Sequence, residues 1–508
     1  MGSIRNILLV YPQVPKNTFW SFQHALKFIG KRSSMPPLGL ITVAAYIPQH
    51  INVRLVDENV ARLKDSDIAW ADAVFLSAMI VQKESFETVA ARCKKAGKIV
   101  VAGGPHVTSS QEPIKNVDHF VLGEAETVME AFMADLEQGC AKPVYKAEKR
   151  PDLAVTRTPR YDLLKRSSYA SMAVQYSRGC PFHCEFCDIW KVYGNQPRVK
   201  PAARMLEELN ALYDLNWRGA VFMVDDNFIG NKSKVKKDLL PVLIAWQKEL
   251  NYPFKFYTEA SINLADDEPL LEAMRDAAFN EVFIGIETPS VESLAETGKV
   301  QNLKSDMTLA IRKIQNYGME VMGGFILGFD SDTDDIADRQ IAFIQQAGIP
   351  RAMVGLLTAL PGTDLHDRLV REDRILGVSG GNNVSCAAAN FKTRQSPEAL
   401  QAGYRKVLST IYDRSLKNYF ARCNRVLDTL KANPHACRSI KVGELRALFG
   451  SLLRQPFTPY GWQYIKFIAR NLFKNTGAFP EAVKFSILGH HLHIITRKML
   501  ADRPMLTA

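Results

Sequence analysis

Long apolar runs are missing from this 508-residue chain. No stretch reaches the about 18 consecutive apolar residues that a transmembrane helix needs, so we expect no membrane span. The first residues lack the apolar core of a signal peptide, and the sequence M-G-x-x-x-N lacks the Ser or Thr of a myristoylation site. These absences predict a cytoplasmic protein.

Cysteine is also scarce, with eight residues in the chain. That number excludes a disulfide-rich secreted scaffold and fits a reducing cytosol. Five of the eight are scattered and are expected to be ordinary thiols, namely Cys93, Cys140, Cys386, Cys423 and Cys437. The other three, Cys180, Cys184 and Cys187, are clustered and need a separate explanation.

Net charge is missing from most of the chain and concentrated at its end. Residues 415–508 hold 15 of the Lys and Arg residues and 4 of the Asp and Glu residues, which accounts for the whole excess of +11. Within this region, residues 460–473 alternate aromatic, aliphatic and basic side chains with a helical period. Such a helix either lies on an anionic membrane or packs on the protein with its basic side in solvent. Nucleic acid is not an expected partner, because no recognition module accompanies the basic residues.

The clustered cysteines have the spacing C-x3-C-x2-C within residues 178–187. Thiolates are ligands of zinc and of iron–sulfur clusters. Three of them on a short loop hold three corners of a cubane and leave the fourth iron open. The alternatives are a zinc loop with His183 as fourth ligand, or accidental thiols; no C-x2-C partner pair is present elsewhere.

With Phe186 before the third cysteine, this motif resembles that of the radical S-adenosylmethionine (SAM) enzymes. The resemblance implies that Cys180, Cys184 and Cys187 bind a [4Fe–4S] cluster, that SAM chelates the fourth iron, and that Phe186 lies at the cofactor. In that family one electron from the cluster cleaves SAM to methionine and a 5′-deoxyadenosyl radical. The radical removes a hydrogen atom from an unactivated carbon.

Residues 1–141 alternate short apolar strands with helices, which predicts a doubly wound, Rossmann-like α/β domain that binds ligands beyond the carboxyl ends of its strands. Turn residues there are similar to those of the cobalamin-binding domain that precedes the radical module in one class of radical SAM enzymes. The residues implied to bind cobalamin are Pro37, Gly39, Asp57, Glu58, Ser77, Gly103, Gly104, His106, Gly123 and Glu124. The motif D-x-H-x-x-G is absent, so the resemblance implies no histidine under cobalt; His106 is expected to cap the ligand's tail or to fill its turn.

Three further segments follow. Residues 142–169 have no apolar periodicity and are interpreted as a linker. Residues 170–375 contain six strand–helix repeats and predict a partial (β/α)6 barrel, whose chemistry takes place at the carboxyl ends of its strands. Residues 376–508 are predicted to be a mainly helical, basic region.

Polar residues follow several barrel strands, although any one of these acids could instead cap the next helix. The resemblance implies contacts with the SAM amino, carboxylate or ribose groups for Asp225, Asp226, Asn227, Glu259, Ser261 and Glu287. It places Gly324 and Gly328 near the adenine. The chain departs from the family pattern at two places. It has Asp225-Asp226-Asn227 where G-G-E is common. In the element G-x-I-x-G-x-x-[ED], which contains Gly324 and Gly328, the acid Asp330 stands one position earlier than the pattern places it.

The order of the segments resembles a subgroup that includes the bacterial hopanoid C-2 methylases. This implies a cobalamin-dependent radical SAM methyltransferase acting on a small molecule, with a hopanoid or other lipid as a candidate. It also implies an electron donor such as ferredoxin or flavodoxin. Peripheral contact with the inner membrane is an expectation from the basic, aromatic C-terminal helix. The alternatives are cyclisation or rearrangement without methyl transfer, and a non-catalytic metal-binding protein of the membrane surface.

Overall fold

The computed structural model describes residues 4–110, 112–382, 389–430 and 442–501. Cys386, Cys437 and the basic residues in the remaining stretches therefore lie outside the described residues. Within the described ranges, no helix is both long and apolar enough to cross a membrane.

The first domain is built on a parallel sheet of six described strands in the order β2-β1-β3-β4-β5-β6. Its strands are β1 (Asn6–Tyr11), β2 (Asn52–Asp57), β3 (Ala73–Ser77), β4 (Ile99–Gly103), β5 (His119–Leu122) and β6 (Val144–Lys146). Its helices are α1 (Gln23–Leu26), α2 (Leu38–Ala44), α3 (Asp65–Trp70), α4 (Lys83–Lys95), α5 (Pro105–Ser109) and α6 (Met129–Glu137). Separate apolar clusters cover the two faces of the sheet, as a doubly wound fold requires.

Strand β6 lies inside the segment 142–169 that the sequence assigns to a linker. It pairs with β5, so the first sheet continues as far as Lys146. Only Tyr145 of its three residues is buried, and so short an edge strand leaves no periodic signal in the sequence. The remaining linker forms short 3-10 turns, at Leu153–Val155, Tyr161–Leu163 and Arg166–Ser168.

The second domain is an open barrel whose described parallel strands have the order β14-β13-β12-β11-β10-β7. The strands are β7 (Ser171–Val174), β10 (Ala220–Met223), β11 (Lys255–Ala260), β12 (Phe279–Glu287), β13 (Glu320–Leu327) and β14 (Ala352–Leu356), with an antiparallel pair β8 (Ser177–Arg178) and β9 (Arg198–Val199) at the cysteine loop. The helices are α7 (Ile189–Val192), α8 (Ala202–Asp214), α9 (Lys232–Lys234), α10 (Leu240–Glu249), α11 (Glu268–Asp276), α12 (Val291–Glu296), α13 (Met307–Asn316) and α14 (Ile336–Ala347). The predicted partial barrel is confirmed.

The C-terminal region is helical and packs on the barrel. Its helices are α15 (Asp364–Arg371), α16 (Pro397–Ile411), α17 (Lys417–Thr429), α18 (Val442–Arg454), α19 (Gly461–Lys474) and α20 (Phe479–Ala501). Helix α16 packs on α14 and β14, while α17, α18 and α19 pack on α20. The barrel core is therefore continuous with the core of this region.

Candidate active site at the mouth of the barrel

The cysteine loop begins directly after β8. Cys184 is buried, while Cys180 and Cys187 are half-buried, and all three are free thiols. The loop turns at Gly179, where φ is +96° and a Cβ would stand 2.6 Å from the carbonyl oxygen of Gly194. A side chain there would push the loop off its support, because the amide of Cys180 also donates to that oxygen.

Polar groups from distant parts of the barrel surround the sulfurs. The Asn227 amide donates to Sγ of Cys180, and the Gln301 amide donates to Sγ of Cys184, each at 3.9 Å. Lys299 is buried nearby and pairs with Glu287, with Nζ 2.6 Å from Oε1. Burial opposes its charge, but Glu287 and the sulfurs outweigh burial and raise the pKa of Lys299.

This donor set fits a polynuclear cluster better than a single ion. In the described part of the chain, no three His, Cys, Asp or Glu side chains converge on one point that would hold a metal ion. The amide N–H groups of Asn227 and Gln301 are instead aimed at two of the three thiols. Hydrogen bonds to the sulfurs and nearby charge are the features by which proteins tune an iron–sulfur cluster.

Asp225 holds the strand that leads into the loop. Its carboxylate accepts hydrogen bonds from the Tyr176 amide at 2.8 Å, the Ser177 amide at 2.7 Å and the Ser177 hydroxyl at 2.6 Å. Burial raises its pKa to about 7 despite these bonds. Its oxygens are thus engaged in positioning the loop.

Asp226 and Glu259 carry carboxyl oxygens that the protein leaves open. Burial raises the pKa of Asp226 to about 6, and its Oδ2 is buried without a hydrogen-bond partner. Burial, followed by the charges of Asp226 and Asp225, raises the pKa of Glu259 to about 8. Two carboxyl groups of this kind beside the cysteine loop form a site for a cationic group, whose charge would compensate theirs.

The remaining strand-end residues each contact their own neighbours. The Asn227 side chain donates to the Ser261 hydroxyl at 3.2 Å. Glu287 has a positive φ of +64°, which turns its carboxylate toward Lys299. On β13, Gly324 leaves room for the Phe283 ring, which would lie 2.8 Å from a Cβ at that position.

Asp330 is not the acid that closes the glycine element after β13. Its carboxylate is bound by Arg368 and Arg374, at 2.9 Å and 2.5 Å. Asp332 instead accepts hydrogen bonds from the amides of Gly328 and Phe329, at 2.9 Å and 3.1 Å. The departure seen in the sequence is thus an acid shifted in register, because a turn closed by the hydrogen bond from the Asp332 amide to the Phe329 carbonyl brings Asp332 back to these amides.

Small residues line the carboxyl ends of three strands of the first sheet. Ser77 on β3 pairs in register with Gly103 on β4, and Gly123 follows β5. Gly104 has a φ of +88°, and a Cβ there would lie 2.5 Å from the Ser77 hydroxyl. Nothing lies within 4 Å of a Cβ placed at Gly123 or at Gly39, which lies on α2 just after its N-cap Pro37. The backbone is thus open to a bulky ligand at this edge.

His106 is packed inside the first domain. Its ring is buried and contacts Phe86 edge-on, with the ring centres 5.3 Å apart. Its amide donates to the carbonyl of Ala78 at 3.0 Å. The histidine therefore helps to fill the turn after β4.

Three acids predicted at the cobalamin site are engaged with the protein itself. Asp57 accepts a hydrogen bond from the Tyr169 hydroxyl at 2.9 Å, across the linker. Glu58 accepts one from Ser85 at 3.4 Å. Glu124 pairs with Arg178 at 2.7 Å and Arg198 at 2.6 Å.

The Glu124 contacts belong to an ion cluster that joins the two domains, which we call the interdomain clamp: Glu124, Glu126, Arg178 and Arg198. Arg178 also pairs with Glu126 at 2.6 Å. Burial would raise the pKa of Glu126, but the Arg178 guanidinium outweighs it and the pKa is lowered. Because Arg178 lies two residues before Cys180, the clamp fixes the end of β5 against the cysteine loop.

Comparison with known proteins identifies the parts of this architecture. Three family models match: the B12 binding domain at residues 32–133, the Radical SAM superfamily at 174–344, and a domain of unknown function, DUF4070, at 363–504. An uncharacterized methyltransferase of Synechocystis is 44% identical over 408 residues, which is 80% of this chain and 76% of the relative. The hopanoid C-2 methylase of Rhodopseudomonas palustris is 39% identical over 377 residues, which is 73% of this chain and 71% of the relative.

The chain belongs to the cobalamin-dependent radical SAM methyltransferases. The fold agrees with this assignment. The cobalamin-dependent radical enzyme OxsB, solved with aqua-cobalamin and SAM bound, superimposes with a TM-score of 0.61 at 14% identity, covering 98% of this chain and 84% of OxsB.

The cofactors of this methyltransferase are a [4Fe–4S] cluster, SAM and cobalamin. The residues present fit them: three clustered thiols with N–H donors, two open carboxyl groups, and a glycine-lined sheet edge clamped over the loop. The zinc alternative and the non-catalytic alternative are wrong.

Several residues of this methyltransferase site were not predicted from its sequence. They are Arg178, Arg198, Glu126, Lys299, Gln301 and Asp332. Lys299 and Gln301 lie in the segment after α12, more than a hundred residues from the cysteines. The conspicuous motifs lie elsewhere, and the sequence carries no signal that these side chains fold back onto the sulfurs.

Proposed function

We propose that the enzyme transfers a methyl group from SAM to an unactivated carbon of a lipid, with hopanoids as the first class to test. The observation that carries this proposal is an aromatic wall inside the barrel. Such a wall suits a large apolar substrate with few polar handles.

The wall follows from the register of the strands. Phe222 on β10 pairs with Tyr257 on β11, and their rings stack with centres 4.5 Å apart. Phe283 on β12 pairs in register with Glu259, which lies two residues after Tyr257. Register partners, and residues two apart, point to the same side of a sheet, so the wall faces the same space as Glu259.

The N-terminal domain adds Trp20 to this wall. Its ring centre lies 5.1 Å from that of Phe283, and 44% of its surface remains exposed. An aromatic side chain that is packed on one face and open on the other supports a binding surface for an apolar ring system.

Each cofactor has residues proposed to hold it. The cluster is bound by Cys180, Cys184 and Cys187, with Phe186 packed beside the loop. The SAM amino group is faced by Asp226 and Glu259. The SAM carboxylate and ribose are oriented by Asn227, Ser261 and Glu287. Gly324 and Gly328 are proposed to lie near the adenine, with Gly324 next to the Phe283 ring. Ser77, Gly103, Gly104 and Gly123 border the cobalamin, which when bound supplies the methyl group while the cluster supplies the electron that cleaves SAM.

Other residues of the protein position the cofactor-binding segments relative to one another. The clamp holds the cobalamin domain over the loop, and Asp225 keeps the loop on the end of β7.

We also propose an acidic low-potential electron donor, such as ferredoxin or flavodoxin, and peripheral membrane contact through the C-terminal region, which fits a lipid substrate.

Anaerobic reconstitution tests the proposal. The protein is loaded with iron, sulfide and hydroxocobalamin, reduced with dithionite, and supplied with SAM and detergent-solubilised hopanoid. We expect 5′-deoxyadenosine, S-adenosylhomocysteine and a lipid product heavier by one methylene unit. Cys184→Ala is the control and is expected to abolish deoxyadenosine formation.

Two results would contradict the proposal. A product of unchanged carbon count, with deoxyadenosine but no S-adenosylhomocysteine, would indicate cyclisation or rearrangement. Deoxyadenosine formation by Cys184→Ala at the wild-type rate would remove the cysteine loop from the mechanism.

A further inference from the structure

Helices α18 and α19 and the turn between them expose an unusual amount of apolar surface. We call residues 445–473 the helical corner. Its exposed large apolar side chains are Leu445, Phe449, Leu452, Leu453, Phe457, Trp462, Ile465, Leu472 and Phe473. Phe457 is 88% exposed, Phe473 81% and Leu453 72%. Exposed apolar side chains concentrated in this way on two consecutive helices are typical of an interaction site.

The inner faces of both helices are packed against the rest of the protein. On α18, Ala447 and Ser451 are buried; on α19, Tyr464, Phe467 and Ile468 are buried against the other C-terminal helices. The Ser451 hydroxyl lies 2.9 Å from the Tyr464 hydroxyl and ties the two helices together. A surface helix normally has one apolar stripe, whereas each of these has a second stripe that points outward.

Positive charge accompanies the outward stripes. Between residues 442 and 475 the cations are Arg446, Arg454, Lys466, Arg470 and Lys474, and the one acid is Glu444. Arg470 is paired with Asp428 on α17 at 2.8 Å, so the other four supply the excess positive charge. Lys466 lies over the ring of Trp462, with Nζ 4.9 Å from the ring centre. Apolar and aromatic side chains bordered by Lys and Arg are the composition of surfaces that lie in the interface of an anionic bilayer.

We infer that the helical corner docks the enzyme on an anionic lipid bilayer, with Leu453, Phe457, Trp462 and Phe473 inserted among the acyl chains. This inference rests on the proposed function, because docking on a bilayer serves an enzyme whose substrate is a lipid. A second copy of the chain is a weaker occupant, because a two-fold contact through this surface would bring like charges together.

A short segment connects the corner with the aromatic wall. Phe28 lies beneath α18, where the Arg454 guanidinium stands 5.6 Å from its ring centre. Eight residues earlier, Trp20 contacts Phe283 inside the barrel. Docking of the corner would therefore bring the wall near the membrane in which a lipid substrate is dissolved.

Vesicle flotation of the reconstituted, full-length holoenzyme tests the inference. Vesicles of phosphatidylcholine alone are compared with vesicles that also contain phosphatidylglycerol. The test variant is Phe457→Ser with Phe473→Ser. The matched control is Val291→Ser with Leu309→Ser, since both side chains are 61% exposed on barrel helices.

We expect the wild-type enzyme and the control to float with the anionic vesicles. The Phe457 and Phe473 variant is expected to lose on the order of a hundredfold in partitioning, because two phenyl groups no longer leave water. Lys466→Gln with Lys474→Gln is expected to remove the preference for anionic over neutral vesicles, and added salt should have the same effect.

Three results would overturn the inference: failure of the wild type to float, equal flotation of the Phe variant, or a wild-type dimer that the Phe variant dissociates. Circular dichroism and bound cobalamin verify that the variants are folded. Methylation of detergent-solubilised lipid is measured in parallel. If the wild-type enzyme floats but does not methylate the lipid, the proposed function alone is contradicted. If it methylates the lipid but does not float, the docking alone is contradicted.

Discussion

At the scale of single residues, Lys299 is the unexpected member of the site. Its ammonium group is buried beside Cys184 and Cys187 and is paired with Glu287. A fixed cation near a cluster stabilises the reduced, more negative state, as do hydrogen bonds to its sulfurs. The cation is thus placed to ease reduction of the cluster by its electron donor, the step that precedes SAM cleavage.

Lys299→Gln should lower the reduction potential of the cluster. The variant keeps a polar side chain but removes the positive charge, so we expect a shift of tens of millivolts to more negative potential. The measurement is an EPR-monitored redox titration without SAM. Lys304→Gln, in the loop before α13, is the control; an unchanged potential in Lys299→Gln would separate Lys299 from the cluster.

Three carboxyl groups of the site should contribute less stability as the pH rises, because their pKa values are raised in the folded protein. Burial raises the pKa values of Asp226, Asp225 and Glu259 to about 6, 7 and 8. Between pH about 4 and 8 the folded protein thus retains protons that the unfolded chain has lost. The contribution of these three groups to the free energy of unfolding therefore decreases across that range.

Glu259→Gln should reduce this decrease, since it removes the group with the highest pKa of the three. We expect the melting temperature of the SAM-free variant to change less than that of the wild type between pH 6 and 8.5, as measured by calorimetry. Glu249→Gln, at an exposed position on α10, should follow the wild type. Equal slopes in the wild type and Glu259→Gln would contradict the burial argument.

At the scale of elements, a buried ion cluster closes the amino end of the barrel. Arg351, before β14, pairs with Glu281 on β12 at 2.6 Å and with Glu320 on β13 at 2.8 Å. Lys484 on α20 reaches the same two acids, at 2.9 Å and 2.7 Å. The cluster therefore ties three strands to the longest C-terminal helix.

Arg351→Ala should destabilise the barrel by about 3 kcal/mol, because it leaves the buried Glu320 and the partly buried Glu281 with one cation, Lys484. Urea unfolding followed by the fluorescence of barrel tryptophans measures the effect. Arg204→Ala removes an exposed pair with Glu207 on α8 and should cost under about 1 kcal/mol. Equal losses in both variants would show that burial does not set the energy of the cluster.

At the scale of the whole molecule, function depends on how the first domain sits on the second. The clamp joins the end of β5 to the residue two places before the first cluster cysteine. Its acids are almost fully buried, with 5% of the Glu124 side chain and 4% of the Glu126 side chain exposed. Such a contact is geometrically strict, because both guanidinium groups must remain compensated.

Glu124→Gln should uncouple methyl transfer from SAM cleavage. The cysteine loop remains, so 5′-deoxyadenosine should still form, while the methylated product falls by about tenfold or more because misplacement by about 1 Å costs that much in rate. Both products are quantified by mass spectrometry in one assay. Glu130→Gln, in an exposed pair with Arg157, is the control; parallel losses of both products would refute the uncoupling.

Local patterns in the sequence were sufficient for the segments that carry their own signal. The cysteine spacing, the strand-end acids and the alternation of strands and helices predicted the cluster loop, both parallel sheets and the helical end. They could do so because ligand spacing, strand period and turn residues depend on neighbours along the chain. The three-residue strand β6 falls below that level of signal and was read as linker.

Tertiary structure decided which groups meet across long distances in the chain. The sequence identified Glu124 as a ligand contact, but folding pairs it with Arg178 and Arg198. It pointed to Asp330, but the turn after β13 brings Asp332 to the amides. Likewise, periodicity predicted an amphipathic α19 but not its second apolar stripe. The spacing of hydrophobic residues along a helix is the same whether they are buried or exposed. Only the packing of neighbouring helices determines which face remains in solvent.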